Sequence, residues 1–297
     1  MPNPHPPTLD PLAVARWQRR APARSPWLHE EVARRMAARL EWIRLQPQVW
    51  LHWEPVRGGL AAQPLVEQRY PQARCIAAES DPRLAAAARQ ALGRPWWRVG
   101  GPQRTVVAKF EPASVQMVWA NMALHFSLDP QALMAGWHAA LQPQGFLMFS
   151  CFGPDTVREL RELYARLGWP AAGPEFTDMH DWGDMLVAAG FAEPVMDMER
   201  ITLAWDSPQK LLAELRELGA NLHPSRFAAL RGRHWRERLE RELASSLRDA
   251  DGRLALTFEV VYGHAIKPPP RLRMQGEAAL GVEELRGMLR AGRKPTR

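Results

Sequence analysis

Apolar residues recur at helical spacing over positions 12–45, with Leu28, Val32, Met36 and Leu40 in phase, Glu30 and Glu31 early in that run and arginines later. That charge order suits a helix dipole, and Pro22 and Pro26 divide the stretch into two helices. The period then changes. Short apolar runs at 49–53 and 75–79 read as strands, and each precedes a helical pattern, at 60–70 and at the alanine-rich 82–92. Strand and helix alternating in this way predict a parallel sheet.

The pattern continues with a compact apolar run at 115–121, a capped helix at 129–141 that stops before Pro143, a turn at Gln144–Gly145 and a strand at 146–152. Thr156 and Glu159 have the spacing of a capping box for a helix running to Leu167, and Asp178 with Asp181 can cap the helix that ends at Gly190. Two last strands are expected at 194–201 and 254–265, separated by helices at 208–218 and 226–247. They predict antiparallel pairing at one edge, with a helical insertion over about 203–252. The organisation expected is N-terminal helices (1–46), one α/β unit (47–267) and a proline- and arginine-bearing tail (268–297) with a short helix around 282–289.

Composition narrows the class. The 297 residues are 46% hydrophobic, enough for a sizeable core, yet no apolar run approaches the roughly 20 residues of a membrane-spanning helix. The opening MPNPHPPTLDPLAVARWQRR carries prolines where a secretory signal has an apolar stretch, so a cytoplasmic protein is expected. Cys75 and Cys151 are too few for a disulfide framework and too isolated for a metal or redox pair. The net charge of +7 suits an acidic partner. Nucleic acid is one such partner, but no nucleic-acid-binding motif accompanies the charge.

The segment MVWANMALHFSLDPQALMAGWHAALQPQGFLMFSCFGPDTVRELR (117–161) joins an Asn-ended strand, a helix and a Leu-x-Pro-x-Gly turn into the next strand. With FTDMHDWGDMLVAAGF (176–191), MERITL (198–203), NLHPSRF (221–227) and FEVVYGHA (258–265), it resembles the malonyl-acyl-carrier-protein O-methyltransferases of biotin synthesis. The resemblance runs from about Val14 to Lys267. It implies a Rossmann-like class I methyltransferase fold with a mostly parallel seven-stranded sheet, S-adenosylmethionine as cofactor, and malonyl-loaded acyl carrier protein as partner. The implied reaction is methyl esterification of the malonyl carboxylate.

One stretch departs from that family. Its first strand is expected to end in an acid followed by three glycines, which let backbone amides approach the cofactor. Here the chain reads VWLHWEPVRGGLAAQPLVEQRYP (49–71), with His52 or Trp53 at the acid's place and Pro55 and Arg57 near the earlier glycines. Glu54, Gly58 and Gly59 are the remaining cofactor candidates there. Glu79 matches the acid that binds ribose hydroxyls, while WWRVGGPQRTVVAKFEP (96–112) lacks the acid that commonly faces the adenine amine. A homologue that keeps the fold, has lost the cofactor and acts by protein binding is therefore the competing reading. An RNA-binding protein or RNA methyltransferase is a third, carried by charge alone.

The other candidates each have a structural reading beside the functional one. Asn121 and Met122, at the end of the fourth strand, can meet the methionine part of the cofactor or cap a turn. His125 can face the reaction cleft or fill a loop. Arg158 and Arg161 can recognise the malonyl carboxylate through paired hydrogen bonds or lie solvated on a helix. His223, Arg226, Tyr262 and His264 fall, by the resemblance, near the substrate entrance. Asp178, His180, Asp181 and Asp184 cluster as metal ligands do, but capping accounts for two of them and no metal is expected. The arginine-rich stretch at 226–249 can meet an acidic carrier protein or form internal i to i+4 ion pairs.

Overall fold

The computed structural model describes residues 8–93 and 102–270, and the expected helix at 282–289 lies outside that range. Seven strands form one sheet in the order β3-β2-β1-β4-β5-β7-β6: β1 (Val49–Trp53), β2 (Arg74–Ala78), β3 (Arg104–Val107), β4 (Val115–Ala120), β5 (Leu141–Phe152), β6 (Ala192–Trp205) and β7 (Leu254–Ile266). The first five are parallel, and β7 pairs antiparallel with both β5 and β6. The antiparallel strand thus sits one place in from the edge.

Helices cover both faces because the strands alternate their apolar side chains between two cores. Trp50, Met117, Phe146 and Phe258 point into one; Leu51, Val118, Leu147 and Val261 point into the other. The first core receives α2 (Trp27–Arg39), α4 (Gln63–Arg69), α7 (Arg158–Arg166), α9 (Pro208–Leu218) and α10 (Arg233–Ser246). The second receives α6 (Pro130–Ala140) and α8 (Met179–Ala188), while α5 (Pro82–Leu92) adds Leu84 and Ala88 to a small satellite cluster. Leu28, Val32 and Met36 of α2 are fully buried, so this helix belongs to the main core.

The other N-terminal helix, α1 (Pro11–Arg20), lies over the sheet's C-terminal edge. Asp10 caps it, accepting from the Leu12 and Ala13 amides at 2.9 and 3.2 Å, and pairs with Arg226 at 2.6 Å. Leu9, Ala13, Val14 and Leu222 pack beneath.

Three local expectations change. Thr156 and Glu159 do not form a capping box: the Thr156 hydroxyl donates to Glu259 O, and Glu159 accepts from Thr257 N and Oγ1 at 3.0 and 2.5 Å. Strand β7 runs beside this turn and supplies both partners, and Val157 enters α7 at φ 48°. The expected helix at 226–247 starts only at Arg233, because Asp10 and the turn at His223–Arg226 hold its first residues. The turn at Gln144–Gly145 survives as an irregularity within β5, with Gln144 at φ 66° and regular pairing to β4 resuming at Phe146.

Candidate functional site

In an open sheet of this topology the chain order reverses between β1 and β4, which leaves a crevice beyond their C-terminal ends. A cleft of about 470 Å³ lies there. Its floor comes from strand ends: Trp53 and Glu54 after β1, Glu79 to Asp81 after β2, and Asn121 to Ala123 after β4. Its roof comes from Val14, Trp17 and Gln18 of α1, the Ala21 to Pro26 connection, His29 of α2 and the end of α9.

The loop after β1 has an unexpected form. Glu54 takes the left-handed conformation at φ 45°, ψ 54°, and Pro55 starts a single helical turn, α3 (Pro55–Gly58). Every backbone N–H from Val56 to Ala61 then finds a partner within the protein. Val56 donates to Glu79 Oε1 at 3.0 Å. Arg57 and Gly58 donate to Glu54 O at 3.2 and 2.9 Å, and Gly59 to Pro55 O at 2.9 Å. Leu60 and Ala61 donate to the two carboxylate oxygens of Glu30 at 3.1 and 2.8 Å.

The two glycines serve the same packing. A Cβ at Gly58 would stand 2.9 Å from Asn121 O, and one at Gly59, where φ is +117°, 2.9 Å from Glu30 Oε2. Gly58 lines the cleft, whereas Gly59 faces Glu30 outside it, contrary to its expected place beside a cofactor. His52 also turns away from the cleft. It is buried, its Nδ1 donates to Gln63 Oε1 at 2.7 Å, and Gln63 continues to Glu67, which Arg104 of β3 grips with two contacts of 2.6 Å.

Of the expected residues, Glu54, Gly58, Glu79, Asn121 and Met122 converge on the cleft. Burial, opposed by the Val56 amide and reinforced by Glu54, pushes the Glu79 carboxyl up to about 7. Burial raises Glu54 as well, against the pull of Arg57. The Asn121 amide is committed to structure: Nδ2 donates to His29 O at 2.9 Å and to Gly58 O, and Oδ1 accepts from Ser150 Oγ at 2.6 Å. Met122 turns at φ 53° and donates to Ser150 O at 3.0 Å.

His125, Arg158 and Arg161 do not line this cleft. His125 is buried in a small separate recess, accepts from Phe152 N at 3.3 Å and packs against Phe126, Phe152 and Phe176. Arg158 pairs with Asp155 at 3.4 Å, and Arg161 donates to Pro154 O. The turn after β5 folds both arginines back onto itself. Along α10, Arg233 and Arg236 pair with Glu237 and Glu240. Among the described residues no group of three His, Cys, Asp or Glu side chains could hold a metal, and no helix is long and apolar enough to cross a membrane.

A model of the family described as "Methyltransferase domain" matches residues 56–149. The malonyl-acyl-carrier-protein O-methyltransferase of Gallionella capsiferriformans is 38% identical over 263 residues, covering 85% of this chain and 88% of that protein. The protein of the same name from Laribacter hongkongensis is 39% identical over 255 residues, 83% of this chain and 84% of its own. The chain belongs to the malonyl-acyl-carrier-protein O-methyltransferase family. Two solved structures share the fold: the YcgJ protein from Bacillus subtilis (TM-score 0.51, 12% identity, 79% of this chain and 98% of that one) and a putative methyltransferase from Bacillus halodurans (TM-score 0.50, 16% identity, 78% and 99%).

This family member's cleft also contains a residue that the sequence alone did not single out. His29 lines it, 3% exposed, with Nδ1 donating to Arg57 O at 2.9 Å. Burial holds that imidazole down to about 4, so it is neutral at physiological pH, and its buried Nε2 finds no hydrogen-bond partner among the described residues. Arg57 lines the cleft as well, donating from Nη2 to Gln18 O at 2.8 Å beside the Trp17 ring. The signal for His29 was its place on the inner face of α2, one residue from Leu28; nothing local shows that α2 reaches this crevice.

Proposed function

We propose that this chain is an S-adenosylmethionine-dependent O-methyltransferase that esterifies the free carboxylate of malonyl carried on acyl carrier protein. Its relatives bear that name over most of their length. The observation that carries the reading is the cleft beyond β1, β2 and β4, where Glu54, Glu79 and Asp81 gather around a volume of about 470 Å³.

The residues present fit such a cofactor through side chains. Glu79 would take the ribose hydroxyls, and the acidic lining suits a ligand carrying sulfonium and ammonium charges. The loop amides contribute little, because each already has a partner. Bound S-adenosylmethionine supplies an activated methyl group. A malonyl carboxylate is ionised at neutral pH, so the protein needs no general base for this reaction. What it provides is orientation and the removal of water from two charges that cancel on reaction. The roof of Trp17, Ala21, Pro22 and Pro26 supplies the apolar cover. With their guanidiniums turned away from the cleft, Arg158 and Arg161 are better suited to the rim, meeting the carrier or its linker, than to the reacting carboxylate.

Isothermal titration with S-adenosylmethionine and S-adenosylhomocysteine, followed by transfer of labelled methyl to malonyl-acyl carrier protein, tests the reading. Binding and transfer are expected, both weakened in Glu79→Ala. A folded protein that binds neither ligand at millimolar concentration and transfers no methyl would refute it, leaving a homologue that acts by protein binding.

A further inference from the structure

Arg57 falls near the earlier glycines of the family pattern, and it lines the cleft. Its backbone is firmly held, with N–H on Glu54 O and carbonyl accepting from His29. Its guanidinium is held lightly. Nη2 makes one hydrogen bond, to Gln18 O near the end of α1; the Trp17 ring centroid lies 6.0 Å away; and the buried Nε finds no partner among the described residues. An arginine with an unmatched buried N–H is costly to place, since a buried donor without an acceptor forfeits its hydration.

The surroundings explain why a cation rests there. Glu54, Glu79, Asp81, Asp129 and Glu217 all line the cleft, whereas its lining arginines are Arg24 and Arg57. Arg24 is already paired with Glu217 at 2.7 Å. Arg83 stands 3.8 Å from Asp81. Arg57 is thus the lining arginine with no carboxylate partner among the described residues, and burial works against its charge while Glu54 favours it.

We propose that Arg57 is an internal cationic plug, occupying the cleft in place of a positively charged ligand and setting how strongly the site discriminates between ligands by charge. The inference rests on the cofactor reading above and deepens it. Entry of S-adenosylmethionine requires the guanidinium to leave Gln18 O and swing aside, and the side chain's remaining charge opposes the sulfonium. S-adenosylhomocysteine lacks the sulfur-bound methyl and with it the sulfonium charge, so the plug penalises it less. A purely structural arginine that only ties α1 down would treat the two ligands alike.

The experiment measures affinities of both ligands for the full chain and for Arg57→Gln and Arg57→Ala by isothermal titration, with thermal melts to show that each variant is folded. Arg57→Gln removes the charge at nearly constant size; Arg57→Ala removes both. Arg57→Gln is expected to bind S-adenosylmethionine about tenfold more tightly, the order of one unit charge acting across a half-buried cleft, and to raise its affinity relative to S-adenosylhomocysteine. Arg57→Ala is expected to tighten both ligands. Folded variants that bind S-adenosylmethionine no better than wild type, with an unchanged ratio between ligands, would overturn the plug and leave the methyltransferase reading standing. Failure of wild type and both variants to bind either ligand would overturn the two together.

Discussion

The buried carboxyl of Glu79 makes a stability prediction with a definite sign. Its value is raised from 4.5 to about 7, with burial as the first cause, and the residue is 1% exposed. Between those two values the folded chain binds more protons than the unfolded chain, so folding stability falls as pH rises through this window. The difference is about 2.5 pH units, and at about 1.4 kcal/mol for each the cost of an ionised Glu79 at pH 8 is at most about 3.5 kcal/mol. Glu79→Gln keeps an oxygen for the Val56 amide, 3.0 Å away in wild type, and removes the charge. Urea unfolding at pH 5, 6, 7 and 8 is the assay. His29 and His52, held down to about 4 by burial, act in the opposite sense between about pH 4 and 6.5, so the quantity to read is variant minus wild type. That difference should be small at pH 5 and grow to about 2 to 3 kcal/mol in the variant's favour at pH 8. A difference that is flat across the series, or a variant less stable at pH 8, would refute the claim that burial raises this carboxyl.

Two further substitutions test how the loop and its support are held. Gly59→Ala forces a side chain onto φ +117° and a Cβ to within 2.9 Å of Glu30 Oε2; a loss of about 2 kcal/mol is expected in urea unfolding, and a wild-type midpoint would mean that the Glu30 clasp is slack. Glu67→Ala removes a buried carboxylate held by Arg104 and Gln63; about 3 kcal/mol should be lost, and most of it regained in Glu67→Leu with Arg104→Met, since an apolar pair replaces a buried ion pair at little cost. A double variant as unstable as the single one would locate the loss elsewhere.

The strands and most helices were legible because their signals are local. Short apolar runs mark β1, β2 and β4, alternation marks β7, and Asp129 and Asp178 each cap a helix within a few residues. The ends of β2 and β4 were legible for the same reason, which put Glu79, Asn121 and Met122 near the cleft. His125 shows the limit of that logic: it follows the same strand end as Met122, yet the turn sends its ring to the other side, among three phenylalanines.

By itself the sequence determined the α/β class, the order of elements and a departure in the loop after β1. Only the tertiary structure decided what that departure means. Glu30 reaches Leu60 and Ala61 from 30 residues away, Glu79 reaches Val56 across 23, and Arg57 meets Gln18 across 39. The β1–β2 pairing brings Glu79 to Val56, and the packing of α1 and α2 over the sheet brings in Gln18 and Glu30; these pairings determine whether an amide or a charge is free for a ligand. Periodicity along a chain records which face of each element is buried; it carries no record of which distant side chain satisfies a given backbone group once those faces meet.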